Sequence, residues 1–264
     1  MSIPQTRDEC IAFLDALQNG SLRAAEPDGT GGWTVNRDVK EGILQAFRLS
    51  SLEAMTGDGF AYRDRDLLFP QSACPPGVRV VPGGTAIRRG AYVAPDVVIM
   101  PPAYVNVGAH VGGGTLIDSH ALVGSCAQVG RNVHVSAAAQ IGGVLEPIGA
   151  LPVIVEDEAF LGGNCGVYEG VRIGRGAVLA AGVVLAASTP VYDLAHARIL
   201  RPVDGVLVIP AGAVVVSGAR AASGAFAESH GLSIAAAIVV KYRDSRTDAR
   251  TAFESVLRPS PTSA

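Results

Sequence analysis

VNVGAH VGGGTL IDSHAL VGSCAQ V, residues 105–129, decides the fold of this 264-residue chain, because an aliphatic residue opens each block of six. The openers continue on both sides of this stretch and are Ile87, Val93, Ile99, Val105, Val111, Ile117, Val123, Val129, Val135, Ile141, Val155, Leu161, Val167, Ile173, Leu179, Leu185 and Val191. A small or β-branched residue stands four positions later, as Ala109 does after Val105. A period of six fits neither a helix stripe nor an alternating strand, and it is typical of the hexapeptide repeats of a parallel β-helix.

Each block predicts one flat side of a three-sided coil, with the opener inside and the small residue at the corner. Stacked coils bury the apolar edge that a single coil leaves open. Seventeen blocks at three per coil predict roughly five to six coils. The phase breaks by two residues between Gly142 and Ile154, and Pro147, Gly149 and Pro152 there predict an extruded loop. Loops on rigid scaffolds often carry sites, so this loop is a candidate pocket wall, with a plain insertion as the alternative.

Composition excludes several classes of protein. The net charge is −3 without a basic tract, which argues against a nucleic-acid partner. The sequence contains neither a run of eighteen apolar residues nor a signal-peptide pattern, so we expect no membrane span and a cytoplasmic location. Four widely spaced cysteines without a CxxC pair predict neither a disulfide framework nor a metal site.

Three regions follow from these patterns. Residues 1–78 predict an N-terminal helical domain, residues 79–205 the β-helix, and residues 206–264 a C-terminal β-rich cap with a short helix. Within the cap, residues 206–216 and 234–240 have strand character. The expected fold class is therefore mainly β.

Local patterns place three helices outside the β-helix, whose stacked three-sided coils we call the prism. Residues 11–17 fit an amphipathic helix that ends near Asn19, and residues 39–48 fit a second one with Asn36 as its cap. Residues 246–257 fit a short closing helix.

The prism has no internal room for chemistry, because the openers fill its core. Function must therefore lie on the outer faces, or between chains. Flat faces rich in Ala and Val are exposed apolar surface unless they pair, so we expect a closed cyclic oligomer.

Two motifs of the chain are more specific than the repeats: Gly-Ser-Cys-Ala-Gln and Gly-Gly-Val-Leu-Glu-Pro. With them go further segments over nearly the whole chain, and the full set is residues 22–26, 32–35, 114–118, 123–130, 141–147, 210–218 and 238–241. In these segments the chain resembles the tetrahydrodipicolinate N-succinyltransferase family of the lysine and diaminopimelate pathway. The resemblance implies a left-handed parallel β-helix, a homotrimer, and acyl-CoA bound as cosubstrate between neighbouring subunits, with no permanently bound cofactor.

The resemblance also assigns roles to residues. The reaction joins a CoA thioester to the amine of a small amino-dicarboxylate, and it needs a general base, an oxyanion donor and a guanidinium for the carboxylates. Asp118 matches the functional aspartate of the family, and Arg79 matches its substrate-binding arginine. A turn aspartate and a surface arginine are the alternative readings.

Three positions depart from the family pattern. Asn164 stands in place of an arginine, Gly166 in place of a second active-site glutamate, and His120 in place of a tryptophan. We therefore expect altered specificity, with room at Gly166 for a bulkier group, and a kcat/KM for acetyl-CoA above that for succinyl-CoA. His120 is either a proton-transfer residue or a packing replacement for tryptophan.

Two further histidines, His110 and His134, are expected to be surface residues.

The site that binds the acyl-CoA donor is expected on the late coils. Small residues there would line the pantetheine arm, with the Gly182 N–H as a candidate oxyanion donor. A basic C-terminal patch is either a phosphate-binding site or a solvated tail. The proposed CoA-binding residues are Gly182, Ala186 and Lys241, the last with Arg243 and Arg246.

Three functions remain open at this point. The leading one is a CoA-dependent N-acyltransferase that resembles tetrahydrodipicolinate N-succinyltransferase. The second is a homologue that uses acetyl-CoA in a specialised pathway. The third is a non-catalytic β-helix that serves as a scaffold or ligand-binding module.

Overall fold

The computed structural model describes residues 3–57 and 60–244. The N-terminal unit contains two helices, two hairpins and a 3-10 helix at Asp66–Leu68. Its elements are β1 (Ala25–Pro27), β2 (Trp33–Val35), β3 (Leu52–Gly57), β4 (Phe60–Arg65), α1 (Arg7–Gln18) and α2 (Arg37–Leu49). The Thr6 side chain caps α1 and the Asn36 side chain caps α2, where it accepts the Val39 N–H at 3.3 Å. Both predicted helices are confirmed, whereas the hairpins were not predicted.

The hexapeptide repeats form a parallel β-helix, as predicted. Its strands are β5 (Arg79–Val80), β6 (Ala86–Ile87), β7 (Tyr92–Val93), β8 (Val98–Ile99), β9 (Tyr104–Val105), β10 (His110–Val111), β11 (Leu116–Ile117), β12 (Leu122–Val123), β13 (Gln128–Val129), β14 (His134–Val135), β15 (Gln140–Ile141), β16 (Ile154–Val155), β17 (Phe160–Leu161), β18 (Gly166–Val167), β19 (Val171–Ile173), β20 (Val178–Leu179) and β21 (Val184–Leu185). Successive strands lie in turn on the three faces of the prism. β5 is on the first face, β6 on the second, β7 on the third, β8 again on the first, and so on. We name each edge by the faces it joins: edge 1–2, edge 2–3 and edge 3–1.

The openers explain why this sequence coils. They are buried, and together with the small residues at the corners they form one continuous core along the prism. Backbone N–H groups donate to the next coil, as Asp118 does to the Val135 carbonyl at 2.9 Å. At edge 1–2, His120, Ala138 and Asn164 have φ values of 63°, 56° and 57°, in the left-handed region that tight corners require.

The N-terminal unit packs on edge 2–3 and on the third face. Its core includes Val107 and Cys126 from edge 2–3, and Ile43 of α2 lies against the edge at Gly108. On the third face, the Arg23 Nε donates to the Gln128 Oε1 at 3.0 Å. This packing covers one edge and part of one face, and none of residues 3–57 and 60–78 covers edge 1–2.

The C-terminal region is β-rich, as predicted. Its elements are β22 (Val191–Asp193), β23 (Arg198–Leu200), β24 (Leu207–Ile209), β25 (Ala213–Ala221), α3 (Ala225–Ser229) and β26 (Ser233–Tyr242). Strand β24 adds to the third face and β25 to the first, so the prism continues past residue 205 into the region assigned to the cap. The predicted closing helix at residues 246–257 lies outside the described residues.

Candidate active site

Edge 1–2 brings together four of the eight site residues predicted from the sequence. Asp118 and His120 lie on its third coil, Asn164 on its fifth and Gly182 on its sixth. Because neighbouring strands lie about 4.8 Å apart, Asp118 is about 10 Å along the prism from Asn164. Arg79 lies on the first face, two coils before Asp118. Asp118, His120, Asn164 and Gly182 therefore form a strip along edge 1–2 rather than a single compact cluster, and the other predicted residues lie outside this strip.

Asp118 is positioned at the end of β11. It is half-buried, and its Oδ1 accepts the Ser119 N–H at 2.7 Å, which orients the carboxylate. The remaining lone pairs of the carboxylate suit a positioned proton acceptor.

His134 is a neighbour of Asp118 that sequence reasoning missed. It pairs with Leu116 in the register of the first face, one coil above Asp118. Burial lowers the pKa of His134, and the charge of Asp118 opposes that shift. Its ring lies 4.5 Å from the ring of Phe160, so it is half-buried rather than the surface residue expected. The 18-residue spacing of one coil was the signal that could have placed it.

His120 is exposed in the single chain. Its N–H donates to the Pro102 carbonyl at 2.6 Å, which fixes the backbone at the corner. It therefore fills no packing position within this chain, and its part in proton transfer stays a prediction.

The expectation of free space at Gly166 is wrong. A Cβ placed on Gly166 would lie 2.7 Å from Cε2 of Tyr168, because the Tyr168 ring folds back over the second face at this position. Gly166 is buried beneath that ring, while Tyr168 remains 38% exposed. The neighbouring Asn164 is exposed on the corner. Glycine here accommodates an aromatic ring of the chain itself.

The expectation that the Gly182 N–H is an oxyanion donor is also wrong. This N–H donates to the Gly163 carbonyl at 2.9 Å, as part of the bonding between coils. Gly182 itself is exposed, with open space around its Cα. Ala186 is half-buried at the other end of β21, and its N–H donates to the Thr189 Oγ1 at 2.9 Å. These two residues flank the exposed Val184, so small side chains do border this strand.

The basic C-terminal residues are already engaged. The Lys241 Nζ donates to the Asp244 Oδ2 at 2.8 Å. The Arg243 Nη1 donates to the carbonyls of Glu158 and Gly176, at 3.0 and 3.2 Å. Arg243 thus fastens the cap to edge 3–1, and its assignment to phosphate binding stays a prediction. Arg246 lies outside the described residues.

The loop at residues 142–153 packs against α2. The buried Lys40 donates from Nζ to the Ala150 carbonyl at 2.7 Å and to the Pro147 carbonyl at 3.4 Å. Burial lowers the pKa of Lys40. Because the loop leaves the prism at edge 2–3 and is held there, it does not border the strip at edge 1–2 of its own chain.

The two most specific sequence motifs also lie at edge 2–3. Cys126 is fully buried under α2, and burial raises its pKa to about 12, which excludes it as a nucleophile at neutral pH. Gly124 faces the backbone of Gly143 so closely that neither has space for a side chain. Gln128 connects the prism to Arg23. These motifs therefore join the N-terminal unit to the prism.

A cavity of about 580 Å³ lies between the N-terminal unit and the third face, near edge 3–1. Trp33 and Arg23 line it on one side, and Tyr92, His110 and Arg131 on the other.

Within the described residues, no group of acidic, histidine or cysteine side chains has the arrangement of a metal site. The same residues include no helix long and apolar enough to cross a membrane.

Comparisons with known proteins agree with this architecture. A family model described as tetrahydrodipicolinate N-succinyltransferase N-terminal matches residues 2–49, and one described as hexapeptide repeat of succinyl-transferase matches residues 152–187. The chain is 45% identical to a 2,3,4,5-tetrahydropyridine-2,6-dicarboxylate N-succinyltransferase of Granulibacter bethesdensis, with 96% of this chain and 90% of that protein covered. It is 46% identical to the protein of that name from Gluconobacter oxydans, with the same coverage.

A solved structure is similar in fold. It is a putative 2,3,4,5-tetrahydropyridine-2-carboxylate N-succinyltransferase from Campylobacter jejuni, with a TM-score of 0.52 and 19% identity. The match covers 88% of this chain and 63% of that one.

Proposed function

Because the chain belongs to the tetrahydrodipicolinate N-succinyltransferase family, we propose that it transfers an acyl group from CoA to the amine of the opened form of tetrahydropyridine-2,6-dicarboxylate. The observation that carries this proposal is identity of 45–46% over 96% of the chain to relatives named for that reaction. The acyl-CoA is a cosubstrate that leaves as free CoA. The retained Asp118 on edge 1–2 gives the proposal a chemical centre.

Asp118 acts as the general base in this proposal. Its carboxylate takes a proton from the acceptor ammonium, and the free amine then attacks the thioester carbonyl. A C–N bond forms, the C–S bond breaks from the tetrahedral intermediate, and the CoA thiolate leaves with a proton. Arg79 binds an acceptor carboxylate, and His120 is the second proton-transfer candidate. The oxyanion donor is a group other than the Gly182 N–H, which is already bonded to another coil.

Acetyl-CoA is a second candidate donor, and two observations favour it. Asn164 offers no cation to a terminal succinyl carboxylate, and Tyr168 covers the second face at Gly166. An unpaired carboxylate in a partly desolvated cleft costs on the order of 1–3 kcal/mol, which corresponds to a tenfold to hundredfold preference. The names of the relatives favour succinyl-CoA.

We also propose a homotrimer in which acyl-CoA binds between neighbouring subunits, with Gly182, Ala186 and Lys241 on the CoA side. Exposed apolar side chains on the second face support it: Val184 is 56% and Tyr104 37% exposed in the single chain. A monomer in light scattering at micromolar concentration would contradict the homotrimer.

The cytoplasm is the proposed location, and the four free cysteines are consistent with its reducing environment.

The test is free-thiol release from succinyl-CoA and acetyl-CoA, each with tetrahydropyridine-2,6-dicarboxylate as acceptor. We expect acceptor-dependent thiol release with at least one donor, and the ratio of the two kcat/KM values identifies the donor. A clear succinyl preference would show that another residue replaces the missing arginine. Absence of turnover, together with absence of CoA binding in calorimetry, would favour the scaffold function instead.

A further inference from the structure

The cavity between the N-terminal unit and the third face is separate from the strip at edge 1–2. Its volume of about 580 Å³ is within the range of small-molecule sites. Residues from both units line it, so it exists only when the N-terminal unit is docked on the prism.

Arg23 is held rigidly at one wall of this cavity. Its Nε donates to the Gln128 Oε1 at 3.0 Å, and its guanidinium carbon lies 5.7 Å from the centre of the Trp33 ring. Gln128 is itself buried and donates to the Cys126 carbonyl at 2.9 Å. In the described part of the chain, the terminal nitrogens of Arg23 make no hydrogen bond, so a guanidinium fork is fixed in place and remains available.

A second arginine and two paired carboxylates determine the charge of the lining. The Arg131 guanidinium has no hydrogen-bond or ion-pair partner among residues 3–57 and 60–244, and only the backbone of Arg131 is engaged: its N–H donates to Asp157 and its carbonyl accepts from the Glu158 N–H. The Glu156 carboxylate accepts hydrogen bonds from the side chains of Arg172 and Trp33. The Asp157 carboxylate accepts one from the Arg175 guanidinium, in addition to the Arg131 N–H. The acidic groups of the lining are thus paired with their neighbours, whereas Arg23 and Arg131 have no ion-pair partner in the described part of the chain.

His110 lines the cavity in an unusual state for a histidine. It is half-buried with its ring 4.5 Å from the Tyr92 ring, which corrects the expectation of an ordinary surface residue. Its Nδ1 is buried and has no hydrogen-bond partner in the described structure. Burial, with a contribution from Arg23, lowers its pKa to about 3. A buried polar atom without a partner is uncommon in folded proteins, and a ligand atom entering the cavity would provide one.

We propose that this cavity binds a small dicarboxylate, with one carboxylate on Arg23 and the other on Arg131. Guanidinium forks match carboxylate geometry, and Trp33 and Tyr92 provide apolar surface for the body of the ligand. Phosphate sites typically use a helix N-terminus or a lysine, and the described lining includes neither. The neutral His110 offers a hydrogen bond without adding charge. The proposal is independent of acyl transfer.

Calorimetric titration of the full-length protein with glutarate tests this assignment, since glutarate has no amine and is not an acceptor. Butyrate and inorganic phosphate serve as matched probes with one anionic centre. We expect glutarate to bind at least about tenfold more tightly than either probe. We also expect Arg23→Gln and Arg131→Gln each to weaken glutarate binding at least about tenfold. Arg131→Gln removes no hydrogen bond or ion pair that the described structure shows for this side chain, so the test does not depend on a variant that misfolds.

The control is Arg48→Gln, an exposed arginine of α2 outside the cavity lining, which we expect to bind glutarate unchanged. Absence of glutarate binding to the unmodified protein would overturn the proposal. So would unchanged binding in Arg131→Gln, or loss of binding in Arg79→Gln alone, which would place the ligand at the strip. Phosphate binding as tight as glutarate binding would exclude a dicarboxylate site. Each of these results is separable from a failure of the thiol-release assay.

Discussion

Edge 1–2 and edge 2–3 are built from the same hexapeptide corners, but they have different surroundings. Edge 2–3 is covered by α1, α2 and the loop at residues 142–153, and Cys126 there is completely buried. Edge 1–2 has no cover from the N-terminal unit, and His120 and Asn164 on it are exposed. The most distinctive motifs of the chain lie at the covered edge, and the residues with available acid–base chemistry lie at the open one.

This difference changes how the motifs are interpreted. Complete Gly-Ser-Cys-Ala-Gln and Gly-Gly-Val-Leu-Glu-Pro motifs would ordinarily argue that an active site is retuned rather than decayed. Gly124, Gly143 and Cys126 are required by close packing, so they would be retained in either case. Evidence about catalysis must therefore come from residues of edge 1–2, and the following experiments separate the two edges.

The largest effect is expected for Asp118→Asn. Loss of a positioned general base should lower turnover at least about a hundredfold, with folding and CoA binding nearly unchanged. Steady-state kinetics and calorimetry with CoA measure these effects. Asp96→Asn is the matched control, because Asp96 is an exposed aspartate on edge 3–1. Near-normal turnover in a folded Asp118→Asn protein would reject the role of this residue.

Lys40→Met should affect stability instead of chemistry. The substitution leaves the Ala150 and Pro147 carbonyls without their donor, at a cost of about 1–3 kcal/mol in the free energy of unfolding. Urea unfolding measures the loss, and the specific activity of the folded fraction should be unchanged. Lys241→Met, which removes an exposed ion pair, should cost less than about 1 kcal/mol. A Lys40→Met protein with normal stability and reduced activity would contradict the division between the two edges.

Asn164→Arg should shift donor preference toward succinyl-CoA by about tenfold in the ratio of kcat/KM values, because it restores a cation for the terminal carboxylate. The comparison is Asn132→Arg, since Asn132 has a φ of 53° like the 57° of Asn164 but lies on edge 3–1. An equal shift in both variants would mean that general charge, and not a contact at edge 1–2, determines the preference.

The smallest effect is expected for the pH dependence of stability at His110. Its folded pKa of about 3 lies below the unfolded value of about 6.5, so below pH 6.5 the unfolded state binds the proton preferentially. Stability should therefore fall as the pH decreases from about 6.5 toward about 3, by about 1 kcal/mol between pH 7 and 5.5. His110→Phe should remove this part of the dependence in urea unfolding curves, whereas the exposed His230→Phe should not. An unchanged curve would show that the imidazole is solvated.

Sequence-based prediction of the site succeeded in placement and failed in detail. The six-residue period correctly predicted the coils, and the structure places Asp118, His120, Asn164 and Gly182 on one edge of them. It did not show that the Gly182 N–H is already hydrogen-bonded to the Gly163 carbonyl of the neighbouring coil, or that the Tyr168 ring lies over Gly166. It also missed the half-burial of His110 and His134. Periodicity specifies which side of the backbone a residue occupies, but not what a neighbouring side chain does there.

The sequence by itself determined the prism, its approximate coil number, and the first two helices with the cap of the second. These depend on repeats and caps that are local in the chain. Only the tertiary structure decided which edge is covered and which is open, and that a cavity forms against the third face. Those outcomes depend on contacts such as Arg23 with Gln128, which are 105 residues apart, and Lys40 with Ala150, which are 110 apart. No local spacing encodes such pairs, because they arise only when the N-terminal unit docks on the finished prism.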